Sequence, residues 1–235
     1  KEVYKVFGFD RMEVTLQTRP EKFLGRVELW DAAEAALRDC LERSGFAVAV
    51  LPGEGAFYGP KIGFDFRDVL ERSWTLATVQ IDCAMPERFG LRYVTPEGGE
   101  GMPVMLHRAI LGSIERFIAI LLEHCAGAFP LWLAPVQLKI LTVTDDQKEY
   151  ASNVFEQLRQ EGWRAELDGR NEKLGYKIRE AQLAKIPYAI VIGDKEVAAG
   201  TVAPRRRGGE NLPPLPLAEF RARLRAEVAQ EIGEA

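Results

Sequence analysis

Histidine and cysteine are scarce in this chain of 235 residues: it has two of the first, His107 and His124, and three of the second, Cys40, Cys83 and Cys125. The cysteines are widely spaced and fit neither a disulfide framework nor a zinc motif, so a reduced, cytoplasmic setting is expected. The histidines cannot share an ion, because a helix running from 107 to 124 would span roughly 25 Å. Long apolar runs are missing as well. Phe117 to Cys125 is broken by Glu123 and His124, too early for a membrane span, so no membrane partner is expected. No signal peptide is visible and no segment repeats. Positive charge is not in excess, since a net charge of −4 argues against an indiscriminate nucleic-acid binder while leaving local basic patches possible. The chain opens on Lys1 in mid-pattern and without methionine, which leads us to expect a fragment.

What is present is the composition of a globular protein, 47% hydrophobic and 28% charged, long enough for one large or two ordinary domains. Val3 to Leu16 alternates around Gly8, with Val6, Val14 and Leu16 inward, and reads as a strand pair or a bent strand. From Glu28, apolar residues recur at Leu29, Trp30, Ala33, Leu37 and Leu41, a helix that Gly45 closes. Phe46 to Leu51 reads as a short buried strand, Ile62 to Phe66, Leu76 to Cys83 and Leu91 to Thr95 as an antiparallel meander. Met102 to Leu106 reads as a buried strand that turns at once into a helix from Arg108 to about Ala126. This is the α+β pattern. Gly127 to Pro135 is a packed linker with two prolines, and the boundary is placed at 133/134. Beyond it, Val136–Val143, Trp163–Leu167, Pro187–Ile192 and Glu196–Ala203 read as strands. Helices follow Thr144 (a capping box with Gln147) and run over Glu172–Ala184 and Leu217–Ile232, giving βαβαββα with a mobile basic loop at Arg205–Pro216.

Three stretches carry polar groups that packing alone does not explain. The loop Gly53–Lys61 has three glycines, a ring at Tyr58 and a cation at Lys61; it reads as a ligand-approaching loop or a plain hairpin turn, and it lacks the Walker ending. The junction Met102–Phe117 sets His107, Arg108, Ser113, Glu115 and Arg116 inside an apolar run, either a solvated helix start or a seat for a phosphate-bearing ligand. His107 taken alone reads as structural or as one metal ligand needing partners from elsewhere. Arg170-Asn171-Glu172-Lys173, Lys177, Arg179, Lys185, Lys195-Glu196 and Arg205–Arg207 make a basic and amide-bearing surface, solvated or suited to reading bases and holding phosphates.

Together, Phe7–Asp10, Thr18–Lys22, Gly53–Lys61, Thr78–Asp82, Pro103–Phe117 with its Glu115-Arg116 ending, Arg170–Lys173 and Gly193–Glu196 resemble the threonyl-tRNA synthetases, class II aminoacyl-tRNA synthetases. The resemblance covers essentially the whole chain. It implies the C-terminal part of a class II catalytic domain over 1–133 and an anticodon-binding domain over 134–235. It implies ATP-dependent activation of threonine and transfer to tRNA(Thr), with Mg2+ accompanying ATP and a homodimer in the full-length protein. By that resemblance Arg116 binds the γ-phosphate, Ser113 and Gln80 line the ATP and adenylate pocket, and Lys61 and Tyr58 face the threonyl group and activated carboxyl. His107 becomes one of three Zn2+ ligands, the zinc rejecting valine for want of a hydroxyl. Asn171, Arg179, Glu196 and Arg205 become anticodon contacts.

The chain also departs from that family's pattern. The other two zinc ligands, motifs 1 and 2 and the editing domain lie upstream in the family. Trp74-Thr75-Leu76-Ala77 and Asp82-Cys83 replace the Trp-Gln-Cys-Gly and Asp-Phe more usual there. The 235-residue chain alone is therefore expected not to catalyse ATP–pyrophosphate exchange. The alternative is a non-catalytic tRNA-binding paralogue. A third option is a prolyl, glycyl or histidyl relative, which would share the anticodon-binding fold without the His107 context.

Overall fold

The computed structural model describes residues 2–9 and 11–233, so Asp10 of the Phe7–Asp10 stretch lies outside the described residues. The chain forms two compact units, Lys1–His124 and Cys125–Ala235. No described helix is long and apolar enough to cross a membrane.

The first unit begins with α1 (Glu2–Val6), β1 (Met12–Gln17), α2 (Val27–Ser44) and β2 (Val48–Leu51). It continues through β3 (Lys61–Arg67), β4 (Ser73–Asp82), the short α3 (Met85–Arg88), the two-residue strands β5 (Tyr93–Val94) and β6 (Glu100–Gly101), β7 (Met105–Ala109) and α4 (Ile114–His124). The main sheet has the order β2-β1-β3-β4-β7, antiparallel except for the parallel β1–β2 pair. One face is apolar: Val14, Leu16 and Ile62 pack on Leu37 and Leu41 of α2. That fits the helical spacing read for α2, which ends at Gly45 in the left-handed region, φ 69°. At the other end of this unit, Tyr4 stacks on Phe66 with ring centroids 4.2 Å apart, and Phe9 and Phe117 close the cluster.

Several local expectations need correction. Val3 to Leu16 is a helix followed by a strand, because Tyr4 rather than Val6 turns inward and its hydroxyl donates to the Ile110 carbonyl. Strand β2 is the sheet's edge and is largely exposed, not buried. The expected strand at Leu91–Thr95 shrinks to a two-residue pairing. Strand β7 is the opposite edge, half exposed, and four residues of loop separate it from α4. An edge strand has no neighbour on one side, so its polar residues need no buried partners.

The second unit runs β8 (Leu138–Thr142), a 3-10 turn (Asp145–Gln147), α5 (Lys148–Gln160), β9 (Ala165–Asp168), α6 (Leu174–Leu183), β10 (Tyr188–Ile192), α7 (Asp194–Ala199), β11 (Thr201–Arg206), β12 (Leu215–Pro216) and α8 (Leu217–Ile232). Its sheet has the order β12-β11-β10-β8-β9, with β9, β8 and β10 parallel. Leu138, Ile140, Ile190, Ile192, Phe220 and Leu224 form its core, each fully buried. The continuous apolar run of β10 is covered on both faces, as a central parallel strand requires. The segment before β8 belongs to this unit: Leu131 is buried in the core, and the Leu131 and Trp132 N–H groups donate to Glu231 at 3.0 Å each.

Two elements depart from βαβαββα, the helix α7 and the two-residue strand β12. Residues 196–199, expected as the start of the strand Glu196–Ala203, instead belong to α7, because the Glu196 carboxylate accepts the Gly193 N–H at 2.9 Å and caps a helical turn. The basic run 205–207 is likewise not a free loop. Arg205 and Arg206 lie in β11, Arg206 pairs with Glu227 at 2.8 Å, and Arg207 donates to the Phe129 and Lys185 carbonyls.

Candidate functional site

Opposite the α2 face, the main sheet is polar. Directly opposed residues on neighbouring strands point to the same face, and the pairings Gln17↔Lys61, Lys61↔Gln80 and Gln80↔His107 make one rung across four strands. The rung beside it is Thr15↔Gly63↔Thr78. The space over Gly63 is taken by its neighbours, since a Cβ there would lie 2.6 Å from the Thr15 hydroxyl and 3.1 Å from the Gln17 amide nitrogen. Gln80 is buried and its amide donates to the Gly59 carbonyl at 2.9 Å. The glycine loop is thereby laid across β4: the Cys83 N–H donates to the Tyr58 carbonyl at 2.8 Å and the Ile81 N–H to the Pro60 carbonyl at 3.2 Å. This close approach needs a residue without a side chain, because a Cβ on Gly59 would lie 1.7 Å from the Ile81 carbonyl oxygen. Tyr58 then meets His107 edge to face, ring centroids 5.9 Å apart. The Lys61 ammonium has no carboxylate partner among the described residues.

Asp82 holds this end of the sheet together. Its Oδ1 accepts the Ala84 and Met85 N–H groups at 2.9 and 2.8 Å, and its Oδ2 lies 2.7 Å from His107 Nε2. Burial pushes the Asp82 carboxyl up, but the Met85 N–H, His107 and the Ala84 N–H together outweigh it and hold it below the usual carboxylate range. An ionised Asp82 assigns the ring proton of a neutral His107 to Nε2 and leaves the Nδ1 lone pair for another partner. Carboxylate-backed imidazole is the usual arrangement of a metal-bound histidine, so His107 fits a role as one ligand of an ion. Among the described residues no group of three or more His, Cys, Asp or Glu side chains could hold a metal. His124 is far from this pair in the chain and stacks on Phe9 at 4.6 Å.

Arg116 and Ser113 do not join that cluster. They sit by the start of β4, where the Arg116 guanidinium lies 5.5 Å over the Trp74 ring. Six residues along β4, about 20 Å, separate Trp74 from Gln80. Ser113 donates to Glu115 at 2.7 Å, which lowers the Glu115 carboxyl below its ordinary range. Arg116 makes no ion pair among the described residues and is exposed. Sequence reasoning missed what orients it. Asp68 accepts the Trp74 indole N–H at 2.8 Å, the Arg72 Nε–H at 2.6 Å and the Leu70 and Arg72 amides at 2.9 Å. These donors hold its carboxyl well below the usual range against the upward push of burial. Nothing in residues 68–74 marks such a knot beyond their proximity in sequence. Thr75 keeps a polar contact, its hydroxyl donating to Asp65.

In the second unit, the loops after β8, β9 and β10 share the C-terminal edge of the parallel strands, the usual ligand side of such sheets. Asn171 lies exposed in the loop after β9, Arg179 is exposed on α6, and Glu196 lies in the first turn of α7. Gln147 links two of these loops by donating to Asp194 at 2.7 Å. Arg205 lies apart on β11 opposite Ala189, three residues and about 10 Å back from the end of β10. Its Nε is buried without a hydrogen-bond partner among the described residues. The basic surface is smaller than its sequence suggests. Arg170 is engaged by Asp168 and Glu180, Lys185 donates to the Ala126 carbonyl, and Lys177 is fully buried. Lys173, Arg179 and Lys195 stay exposed.

Two family models match this arrangement: the tRNA synthetase class II core domain (G, H, P, S and T) over residues 1–125, and the anticodon binding domain over residues 136–227. The chain belongs to the class II tRNA synthetases of that core family. Within it, the chain is similar to threonine–tRNA ligases: that of Laribacter hongkongensis is 55% identical over 226 residues, and that of Symbiobacterium thermophilum 52% over 229 residues. These alignments cover 96% and 97% of this chain but 36% and 35% of the relatives, so the chain spans about a third of their length. Among solved structures, the RNA binding domain of threonyl-tRNA synthetase from Cryptosporidium parvum is 37% identical with a TM-score of 0.89, covering 96% of this chain and 57% of that one. A putative threonyl-tRNA synthetase from Aeropyrum pernix is 29% identical with a TM-score of 0.74, over 94% and 55% of the two chains. A prolyl-tRNA synthetase from Cryptosporidium parvum, 18% identical at a TM-score of 0.61 over 77% of this chain and 42% of that one, shares the fold.

Proposed function

We propose that this chain supplies the motif-3 side of the active site and the anticodon-reading domain of a threonine–tRNA ligase, the anticodon-reading part proper starting at 134 after a linker that packs into the same unit. The carrying observation is the in-register rung Lys61–Gln80–His107 beneath the glycine loop, in a chain whose half-identical relatives are threonine–tRNA ligases. The ligase activates threonine with ATP and Mg2+, passes the threonyl group to tRNA(Thr), and works as a homodimer in the cytoplasm.

On this reading each residue acts by its own chemistry. Lys61, a cation without a carboxylate partner, stabilises negative charge developing at the activated carboxyl. Tyr58 walls the threonyl group. Gln80, held by the Gly59 carbonyl, presents its remaining amide groups to the adenylate. Arg116, held extended over Trp74, offers an unpaired planar fork to the γ-phosphate, and Ser113 borders the same end. His107 would hold zinc through Nδ1 with Asp82 behind it, the remaining ligands coming from outside this chain. When bound, that zinc would supply an acceptor for the amino and hydroxyl groups of threonine. In the second unit, Asn171 and Glu196 offer base-edge hydrogen bonds and Arg179 and Arg205 hold phosphate or stack.

A graft tests the catalytic half. Replacing the matching third of the Laribacter hongkongensis relative with this chain is expected to retain threonine-dependent ATP–pyrophosphate exchange. Lys61→Ala or Arg116→Ala in the graft should lower kcat by about 10²–10³, the cost of removing a charge-stabilising donor. The chain alone should give no exchange. A folded graft without threonine-dependent exchange contradicts the reading.

A further inference from the structure

Lys177 belongs, by sequence, to a basic face of α6. In the structure it is buried, 1% exposed, and its ammonium donates to the Thr142 carbonyl at 2.9 Å, the Thr142 hydroxyl at 3.3 Å and the Asp168 carbonyl at 3.3 Å. Thr142 and Asp168 are the last residues of β8 and β9. A buried cation costs more than an apolar side chain of the same size, and here it sits on neutral acceptors rather than on a carboxylate. Core packing alone does not require it.

What lies beyond it does. The Asp168 side chain, 3% exposed, takes the Arg170 guanidinium with both oxygens at 2.9 and 2.6 Å and also accepts the Arg170 N–H at 3.2 Å. Arg170 reaches on to Glu180 of α6, and that carboxyl is lowered by Arg170 first. The loop carrying Asn171 therefore leaves β9 through a residue held at its carbonyl by Lys177 and at its carboxylate by Arg170. We propose that Lys177 is a positioning residue: acting through Asp168 and Arg170, it fixes the loop 169–173 in the conformation that presents Asn171 to an RNA base. This deepens the anticodon reading of the second unit and rests on it. The partner class is single-stranded RNA with unstacked bases.

The test uses the whole chain and two readouts. In Lys177→Met, which keeps length and apolar stem but removes the cation, amide hydrogen exchange in residues 169–173 should rise roughly tenfold, the effect of losing a hydrogen bond to a charged group. The preference for the tRNA(Thr) anticodon stem-loop over the same loop with one anticodon base changed should fall by a similar factor. Arg170→Gln, which breaks the chain one step further on, should do the same, and the double variant should add little to either. A purely structural lysine would lower the melting temperature while leaving both the loop's exchange and the base preference unchanged, and that result overturns the proposal. If Lys177→Met does not fold, an unchanged base preference in folded Arg170→Gln overturns it equally. Loop exchange needs no RNA, so it separates this idea from the anticodon reading. Absence of any base preference in the unmodified chain would sink that reading while leaving the exchange result to judge the lysine.

Discussion

Replacing Phe220 with Ala is expected to cost the second unit a large share of its stability. Phe220 is completely buried, and its ring meets Tyr188 edge to face with centroids 5.5 Å apart, in the cluster that also holds Leu138, Ile190 and Leu224. With Leu224, equally buried, it anchors α8 on the sheet beside β11 and β12. Truncating a buried Phe removes its transfer energy and leaves a cavity, together about 3–5 kcal/mol. A domain of this size is stable by only about 5–15 kcal/mol, so the loss takes a large share of the margin and, at the low end of that range, all of it. Hydrogen exchange of Tyr188–Ile192 is the readout: protection should collapse in β10 while β1, β3 and β4 of the first unit keep theirs. Wild-type protection in β10 of Phe220→Ala would show that α8 is not what closes this core.

Gly59→Ala is the second large effect, and it acts on the site rather than on a core. A Cβ there would penetrate the Ile81 carbonyl oxygen, and that oxygen belongs to the backbone of β4, which cannot step aside. The loop must lift, breaking Gln80 to Gly59, Cys83 to Tyr58 and Ile81 to Pro60. Tyr58 and Lys61 flank the displaced residue. A shift of about 1 Å at a reacting centre costs on the order of 100-fold in rate, so the active graft should lose at least that much exchange on Gly59→Ala. The Cys83 amide should lose its exchange protection in parallel. Full activity with Cys83 still protected would mean that the loop does not lie against β4 in solution.

How much of this was legible in the sequence depended on the range of the deciding contacts. Helix α2 was readable because its spacing, its buried Trp30 and its Gly45 cap are all local. The rung Lys61–Gln80–His107 was not legible: the family resemblance named the three residues separately, while the register that aligns them is set by pairings 19 and 27 residues apart, Lys61 with Gln80 and Gln80 with His107. Helix α7 was missed because its cap uses a glycine amide and a glutamate carboxylate, with no capping side chain at Gly193 to announce it. Tyr4 was missed because alternation across Gly8 imitates a strand, while its partner carbonyl lies 106 residues away. Lys177 was assigned to a surface for the same reason: the Thr142 carbonyl that buries it is 35 residues upstream. Charges read from sequence overstate the basic surface whenever such partners exist.

Titrating the chain with tRNA(Thr) and with tRNAs bearing other anticodons, at one fixed salt concentration, tests the central claim most directly. We predict preference for tRNA(Thr) by at least roughly tenfold, the discrimination one well-placed base contact supplies, and its loss in Asn171→Ala. Equal affinity for all tRNAs, or a preference untouched by that substitution, would contradict it.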